Sequence, residues 1–368
     1  MLIGIPKEIK NHEYRVGLTP SGTSTLTRHG HQVIIENNAG LGAGFNNQAY
    51  KQAGASIVRN ASDIFTQADM IVKVKEPQPE ECHMLRAGQI LFTYLHLAPD
   101  PEQANLLLQS GCIAIAYETV TDDLAGLPLL KPMSEVAGRM AAQAGAHYLE
   151  KAQGGAGVLL AGVPGVAAGK VLILGGGIVG TNAARMAIGL GAKVTIMDIS
   201  LSRLTQIDHD FGHAITTAYS SHEHICELLT DTDLLIGSVL IPGNHAPKLV
   251  TKQMLKLMQP GSVLVDVAID QGGCFETSHA TSHQSPTFLV DDIVHYCVAN
   301  MPGAVPRTST LALTNATLPF VLAIANKGLL KAITDDIHLK NGLNIYQGKV
   351  THEAVANALS LPYQPFNA

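Results

Sequence analysis

Residues 170–198 read KVLILGGGIVGTNAARMAIGLGAKVTIMD, and no other stretch of the chain constrains its fold as strongly. An apolar run, Val171 to Leu174, meets Gly175, Gly177 and Gly180 in G-x-G-x-x-G spacing. A small-residue stretch of helical character follows, then a second apolar run, Val194 to Met197, that ends in Asp198. Each part has a physical task. Gly175 permits the tight turn off a strand. Gly177 has no Cβ, so a pyrophosphate can approach the backbone. Gly180 lets the new helix pack close to the sheet, and the N-terminus of that helix faces the phosphates. Asp198 stands 18 residues after Gly180, where a carboxylate can accept hydrogen bonds from an adenosine ribose. The three glycines alone are weak evidence and also suit an unliganded glycine-rich turn. With both strands, the helix and the terminal acid they predict dinucleotide binding.

Asp198 also bears on cofactor choice. A carboxylate there suits the free 2′-hydroxyl of NAD and repels the 2′-phosphate of NADP, so NAD is the expected cofactor. Arg203 lies five residues on; it either softens that repulsion or is a solvated loop cation.

A chain of 368 residues is too long for one small core, and two domains are the natural expectation. Hydrophobic residues at 46% and charged residues at 15% describe a globular protein with a well-buried interior. The net charge of −6 leaves no basic footprint, which argues against a nucleic-acid partner. No uncharged apolar run reaches the ~18 residues of a membrane span, so no membrane is expected either. MLIGIPKEIK reads as a first β-strand rather than a signal peptide. The five cysteines are odd in number and include no C-x-x-C pair, which fits free thiols in a reducing cytoplasm. His222/His224 and His279/His283 have spacings that can bind metal, but neither pair has an accompanying acid in a metal motif, and no metal is expected.

The first third alternates apolar runs with helical stretches. Strands are expected at 2–5, 32–36, 70–75, 90–94 and 113–117, separated by roughly 15 to 30 residues, which implies crossover helices and a mostly parallel sheet. Helices are expected at 21–29, with Ser21 as N-cap, and at 49–53, 61–67 and 101–110. Residues 134–153 form a long Ala- and Gly-rich helical stretch, and 154–169 a loop. After the glycine motif, strands at 234–239, 263–267, 287–290 and 296–298 complete a six-strand set. A second long helix, 311–330, is interrupted only by Pro319. The expected architecture is α/β, with two Rossmann-like doubly wound domains, the first discontinuous, bridged by long helices. Residues 1–130 plus 307–368 would form a substrate (catalytic) domain and residues 131–306 an NAD-binding domain.

A nucleotide domain chooses no substrate, so the first domain should supply substrate groups from loops after its strands. Arg15, just after the first strand, offers a planar fork to a carboxylate. Lys75, at the end of IVKVK, can polarise a carbonyl or hold a carboxylate. His96, after ILFTYL, can shuttle a proton near neutral pH. Asp270 closes VLVDVAID in the nucleotide domain. Each alone also reads as a surface charge, a structural histidine or a turn-forming acid. Together, all at or just beyond expected strand ends, they suggest a catalytic set.

At these residues the chain resembles the alanine dehydrogenases, which share a fold with the soluble α-subunit domain of proton-translocating nicotinamide nucleotide transhydrogenases. The resemblance runs from MLIGIPKEIKNHEYRVGLTP through IVKVKEPQ, LFTYLHLA, GGGIVGTNAA, VDVAIDQGGCFETS and ANMPGAVPRTST to GKVTHEAVA. It implies reversible oxidative deamination of L-alanine to pyruvate and ammonia, with Arg15 and Lys75 binding substrate and His96 and Asp270 catalytic. It implies NAD contacts from Ser134, Ile178, Val179, Asp198, Arg203, Ser220, Val239, Leu240, Val267 and the segment 298–301, with Val298, Asn300 and Met301. It also implies a homohexamer. One departure is visible: family members often have Arg-Pro where this chain has His279-Ala280. The alternatives are an NAD-binding transhydrogenase α-type component without amino-acid dehydrogenase activity, an opine- or saccharopine-type dehydrogenase, and a non-catalytic NAD-sensing regulator.

Overall fold

The computed structural model describes residues 1–124, 126–239 and 246–366. Its strands in chain order are β1 (Leu2–Ile5), β2 (Gln32–Glu36), β3 (Ser56–Val58), β4 (Met70–Val72), β5 (Ile90–Thr93), β6 (Ile113–Ala116), β7 (Lys170–Leu174), β8 (Lys193–Asp198), β9 (Thr216–Tyr219), β10 (Leu234–Gly237), β11 (Val263–Asp266), β12 (Thr287–Val290), β13 (Ile293–Tyr296), β14 (Leu343–Tyr346) and β15 (Lys349–Val350). The chain divides into two compact units, Met1–Met133 with Gly303–Ala368, and Ser134–Pro302. The first boundary falls inside the helix Lys131–Tyr148.

In the first unit the sheet order is β15-β14-β6-β5-β4-β1-β2-β3. The run from β6 to β3 is parallel, and β14 and β15 add an antiparallel edge. From β1 the chain winds outward to β3, then returns to β4 and winds the other way. The loops after β1 and β4 therefore leave adjacent strands in opposite directions, which opens a crevice at their C-terminal ends. One face of the sheet buries Ile64, Phe65, Ile71, Leu91 and Leu107. Each such apolar side chain contributes roughly 1.5–3 kcal/mol by leaving water.

The second unit has the order β12-β13-β11-β10-β7-β8-β9, parallel except for the β12–β13 hairpin. Its switch point lies between β7 and β10. Alternate residues serve opposite faces, as strand geometry requires. Val171, Ile173, Ile236 and Val265 pack on one side with Ala183 and Ala187 of the helix Ile178–Gly189. Leu172, Leu174, Leu235 and Leu264 pack on the other.

Several elements depart from the sequence-based expectation. The first helix is Pro20–Arg28, and its N-cap is Thr19, not Ser21; the Thr19 hydroxyl accepts the Gly22 amide at 3.1 Å, and Pro20 has the preset φ of a first helical residue. Strands β3, β9, β14 and β15 were not anticipated. β3 and β9 lie at sheet edges, where one flank faces solvent and the apolar signal is diluted. The second sheet therefore has seven strands, not six. The expected 296–298 strand is instead β13, shifted toward the N-terminus because Asp291 and Asp292, both at positive φ (49° and 61°), turn the hairpin. β4 stops at Val72 and β11 at Asp266, so Lys75 and Asp270 stand on the loops beyond. The long C-terminal helix starts at Pro306, runs through Pro319 and ends at Lys327. Its 18-residue window of mean hydropathy 1.4 is long and apolar enough to cross a membrane by composition, and 44% of that window is buried within the protein.

Candidate active site

In the first unit the crevice between β1 and β4 gathers charge. Arg15 is 2% exposed and forks onto Glu13, with Nε donating to Oε1 at 2.6 Å and Nη2 to Oε2 at 2.5 Å; Nη1 approaches the Met133 sulfur at 3.0 Å. Burial alone would lower the Arg15 pKa, but the Glu13 pair outweighs it and keeps the guanidinium charged. Below it, Lys73 is fully buried between Glu8 (3.0 Å) and Glu81 (2.7 Å), and these two carboxylates overcome the desolvation that would otherwise neutralise it. Glu8 also accepts the Val74 amide at 2.7 Å. This triad anchors the backbone that leads into Lys75.

Lys75 lies 3.8 Å from Glu76, whose other oxygen pairs with Lys10. Burial would raise the Glu76 pKa, yet Lys75, the Lys10 hydrogen bond and the nearby His96 lower it on balance. His96 has an exposed side chain and a left-handed backbone, with φ at 48°. Such a conformation costs about 1–3 kcal/mol in a non-glycine residue and persists only where its surroundings enforce it. The imidazole stacks on Tyr94, with ring centroids 5.8 Å apart and planes 16° from parallel. Tyr94 is itself buried, with its hydroxyl donating to the Leu129 carbonyl at 2.6 Å, and its phenol lies close enough to Arg15 to feel that charge. Arg15, Lys75 and His96 therefore share one neighbourhood, joined through Tyr94 and Glu76.

In the second unit the glycine loop is built from backbone. Gly175 has φ at 102°, a region glycine enters freely. A Cβ on Gly180 would stand 1.9 Å from the Gly175 carbonyl oxygen, so only glycine lets the helix approach this closely. A Cβ on Gly177 would meet nothing within 4 Å, and no side chain caps the helix that starts at Ile178. That open space before uncapped amides suits a pyrophosphate.

The Asp198 carboxylate accepts the Gly176 amide at 2.7 Å and the Ser200 amide at 2.8 Å. Arg203 is no solvated cation. Its Nε donates to the Gly176 carbonyl at 2.5 Å and its Nη2 to the Thr181 hydroxyl at 2.6 Å, which ties the helix after β8 to the glycine loop. The Ser220 amide donates to the Asp198 carbonyl at 3.0 Å, and so lies beside the acid. Ser238 donates to the Leu174 and Gly175 carbonyls at 2.9 Å each, which places Val239 at the mouth of the switch point. Val267 follows β11 and donates its amide to the Gly237 carbonyl at 2.9 Å. Val298 and Met301 are buried in the core of this unit, and Asn300 takes a positive φ of 67° between them. Ser134 lies on the helix Lys131–Tyr148 one turn before Gly138, where an added Cβ would stand 2.2 Å from the Val179 carbonyl oxygen. Leu240 lies outside the described residues.

Asp270 is exposed on the turn Ile269–Gln271. The loop that carries it is pinned by Asp266, a buried carboxylate that accepts from the Ala268 amide (3.1 Å), the Cys274 amide (2.9 Å) and the Ser278 hydroxyl (2.6 Å). His279 stacks on Phe288 at 3.7 Å, and Phe288 leans on the buried His295. His224 bonds the Tyr219 carbonyl, and His222 approaches Cys226. Among the described residues no group of three or more His, Cys, Asp or Glu could hold a metal, and all five cysteines are free.

Sequence reasoning missed Glu13, Tyr94, Glu118, Gly138 and Asp266. Glu13 stands two residues before Arg15, a spacing that could have drawn attention. Glu118 and Gly138 carry no local signal, because what they contact lies 22 or more residues away.

What this fold and these residues define is a dinucleotide-binding α/β protein whose first doubly wound unit carries a cluster of cations beside a histidine and whose second carries the glycine loop. Residues 4–137 match the domain described as Alanine dehydrogenase/PNT, N-terminal domain, and residues 141–353 match Alanine dehydrogenase/PNT, C-terminal domain. The chain belongs to the alanine dehydrogenase/PNT family. It is 59% identical over 363 residues to the alanine dehydrogenase of Halomonas elongata, covering 99% of this chain and 98% of that one. A solved L-alanine dehydrogenase superposes with a TM-score of 0.95 at 53% identity, covering 98% of this chain and 99% of its own. A transhydrogenase structure from Sinorhizobium meliloti superposes with a TM-score of 0.83 at 26% identity, covering 96% of this chain and all of its own. Membership of this family brings a nicotinamide nucleotide as cofactor.

Proposed function

We propose that the protein is an NAD-dependent L-alanine dehydrogenase, which interconverts L-alanine with pyruvate and ammonia. The observation that carries this reading is the near-full-length identity of 59% with an alanine dehydrogenase, against 26% with a transhydrogenase. The Arg15, Lys75 and His96 cluster supports it, because a nucleotide-binding module that takes no amino acid has no need of cations beside a proton shuttle. NAD is favoured over NADP by the carboxylate of Asp198.

In the oxidative direction L-alanine and water enter, pyruvate and ammonium leave, two electrons pass to the cofactor and one proton is released. Arg15, its plane fixed by Glu13, takes the substrate carboxylate, and Lys75 lies beside it. When bound, the nicotinamide ring supplies the acceptor for the Cα hydride, which turns the amine into iminopyruvate. His96 or Asp270 takes a proton from the water that adds to the imine carbon, then returns it to the departing nitrogen as the carbinolamine collapses. Holding the reactants in register can supply roughly 7 kcal/mol or more of the barrier reduction. The assembly is a homohexamer and the compartment is the cytoplasm, the latter in keeping with five free thiols.

Mixing the protein with NADH, pyruvate and ammonium and following the loss of NADH absorbance tests this directly. Oxidation that requires both pyruvate and ammonium is the expected result. NADH oxidation absent with pyruvate and ammonium, but present with a second nicotinamide nucleotide as acceptor, would favour the transhydrogenase-component reading.

A further inference from the structure

Nothing in the reaction scheme uses Glu118, yet its carboxylate makes the contacts that fix the backbone of His96. Glu118 sits on the single turn Tyr117–Thr119 that follows β6. β6 lies parallel to β5, with Ala116 opposite Thr93, so the turn after one strand stands beside the turn after the other. The Glu118 Oε1 accepts the His96 amide at 2.6 Å and the Leu95 amide at 3.1 Å, and Oε2 accepts the Leu95 amide at 3.2 Å. These amides have left the sheet ladder, and a carboxylate shared between two successive N–H groups is a strong acceptor for them. His96 is also the residue driven to a φ of 48°. Without an acceptor held at that point, the chain would relax toward an ordinary extended conformation and carry the imidazole with it. The ring itself stacks on Tyr94, with centroids 5.8 Å apart.

We propose that Glu118 is a positioning residue for the reaction: it sets the left-handed turn that presents the His96 imidazole, and acts on turnover only through His96. This inference rests on the alanine dehydrogenase reading and on the proton-transfer role of His96. The second flank of Glu118 is consistent with a fixed carboxylate. Its charge acts on the half-buried His352, whose pKa is lowered by burial and only partly restored by Glu118.

The test is a double-mutant cycle on the full-length protein, measured as kcat per folded active site for pyruvate reduction with NADH and ammonium. Glu118→Ala is expected to lower kcat by about 10- to 100-fold, the scale set by misplacing a reacting group by about 1 Å. KM for pyruvate and for NADH should stay within roughly twofold, since the binding groups are untouched. Glu118→Gln keeps an oxygen that can accept both amides and should recover most of the loss. It also serves in place of the alanine variant should that fail to fold, with a fall of roughly threefold expected from the weaker neutral bond. The solvent isotope effect on kcat should grow in either variant, as proton transfer becomes more limiting. In a His96→Ala background neither change should lower kcat further.

An additive loss in that background would overturn the proposal, because Glu118 would then act by another route. So would normal kcat per folded site with only a reduced yield of folded protein. Full activity of His96→Ala alone would remove the His96 role and this proposal together. An unmodified protein inactive with pyruvate and ammonium would instead remove the alanine dehydrogenase reading on which both depend.

Discussion

The carboxylate that ends β8, Asp198, accepts the amide of Gly176 at 2.7 Å. The acid expected to receive a ribose therefore also braces the phosphate loop. Replacing Asp198 by Ala should remove both effects. The kcat/KM with NAD should fall by roughly tenfold or more, while that with NADP falls less or rises, and the NAD-over-NADP ratio narrows. An unaltered ratio of the two kcat/KM values would count against ribose recognition here.

Two glycines three residues apart, Gly177 and Gly180, should respond differently to the same added methyl. At Gly177 a Cβ meets open space and φ is −68°, so Gly177→Ala should leave the melting temperature nearly unchanged while weakening NADH binding by roughly tenfold, because the methyl stands where a phosphate approaches. At Gly180 the Cβ would stand 1.9 Å from a carbonyl oxygen, so Gly180→Ala should destabilise the unit by about 1–3 kcal/mol. Calorimetry together with NADH titration separates the two. Equal loss of stability in both would mean that Gly177 is there for packing.

Arg15→Ala removes the proposed carboxylate fork and takes from the buried Glu13 its guanidinium partner. KM for pyruvate and alanine should rise far more than KM for NAD. Stability should fall by about 3–5 kcal/mol, the penalty for breaking a buried pair from one side. The double change Arg15→Met with Glu13→Gln should regain most of the stability without regaining the substrate affinity. A pyruvate KM unchanged in Arg15→Ala would exclude Arg15 from substrate binding.

His96→Ala should leave the NADH dissociation constant within roughly twofold and reduce kcat by about 10²–10⁴-fold, the range typical of losing a general acid–base. Single-turnover and equilibrium binding measurements distinguish the two effects. Near-normal kcat with alanine would rule the proton-transfer role out.

His295 is fully buried, with Nε2 at 2.8 Å from the Thr277 hydroxyl and Nδ1 at 3.0 Å from the Ile293 carbonyl oxygen. Burial pulls its pKa below the ordinary 6.5. The unfolded chain therefore binds the proton more readily than the folded one. The stability tied to this group is complete above about pH 6.5 and is lost as pH falls toward the folded-state pKa. Urea titrations should show a fall approaching ~1.4 kcal/mol per pH unit below that point. His295→Gln should flatten the slope, and an unchanged slope in that variant would show that His295 is not its source.

Much of the fold was legible because periodicity reports on burial. β1, β2 and β12 have the ends that apolar runs and turn residues predict, and the helices Ala61–Gln67 and Pro101–Ser110 have the bounds that their starts and stops imply. Edge strands β3 and β9 were not legible, since half of each faces water and their residues carry a mixed signal. The same logic separates the site residues. Gly175, Gly177, Gly180 and Asp198 act through spacing along the chain, which a sequence displays. Glu13 on Arg15, Glu118 on His96 and Asp266 on the Asp270 loop act through space. Arg203 shows the difference within one residue: its place five positions after Asp198 fits a solvated cation, and its bonds to Gly176 and Thr181 rule that reading out.

By itself the sequence determined the doubly wound α/β architecture and the dinucleotide motif, because both rest on local chemistry: strand-length apolar runs, and glycines where a side chain would collide. Tertiary structure alone decided which carboxylates hold the candidate-site cations and the histidine in place. Those partners are brought together by strand order in the sheet, and strand order is a property of the packed chain rather than of any short stretch of it.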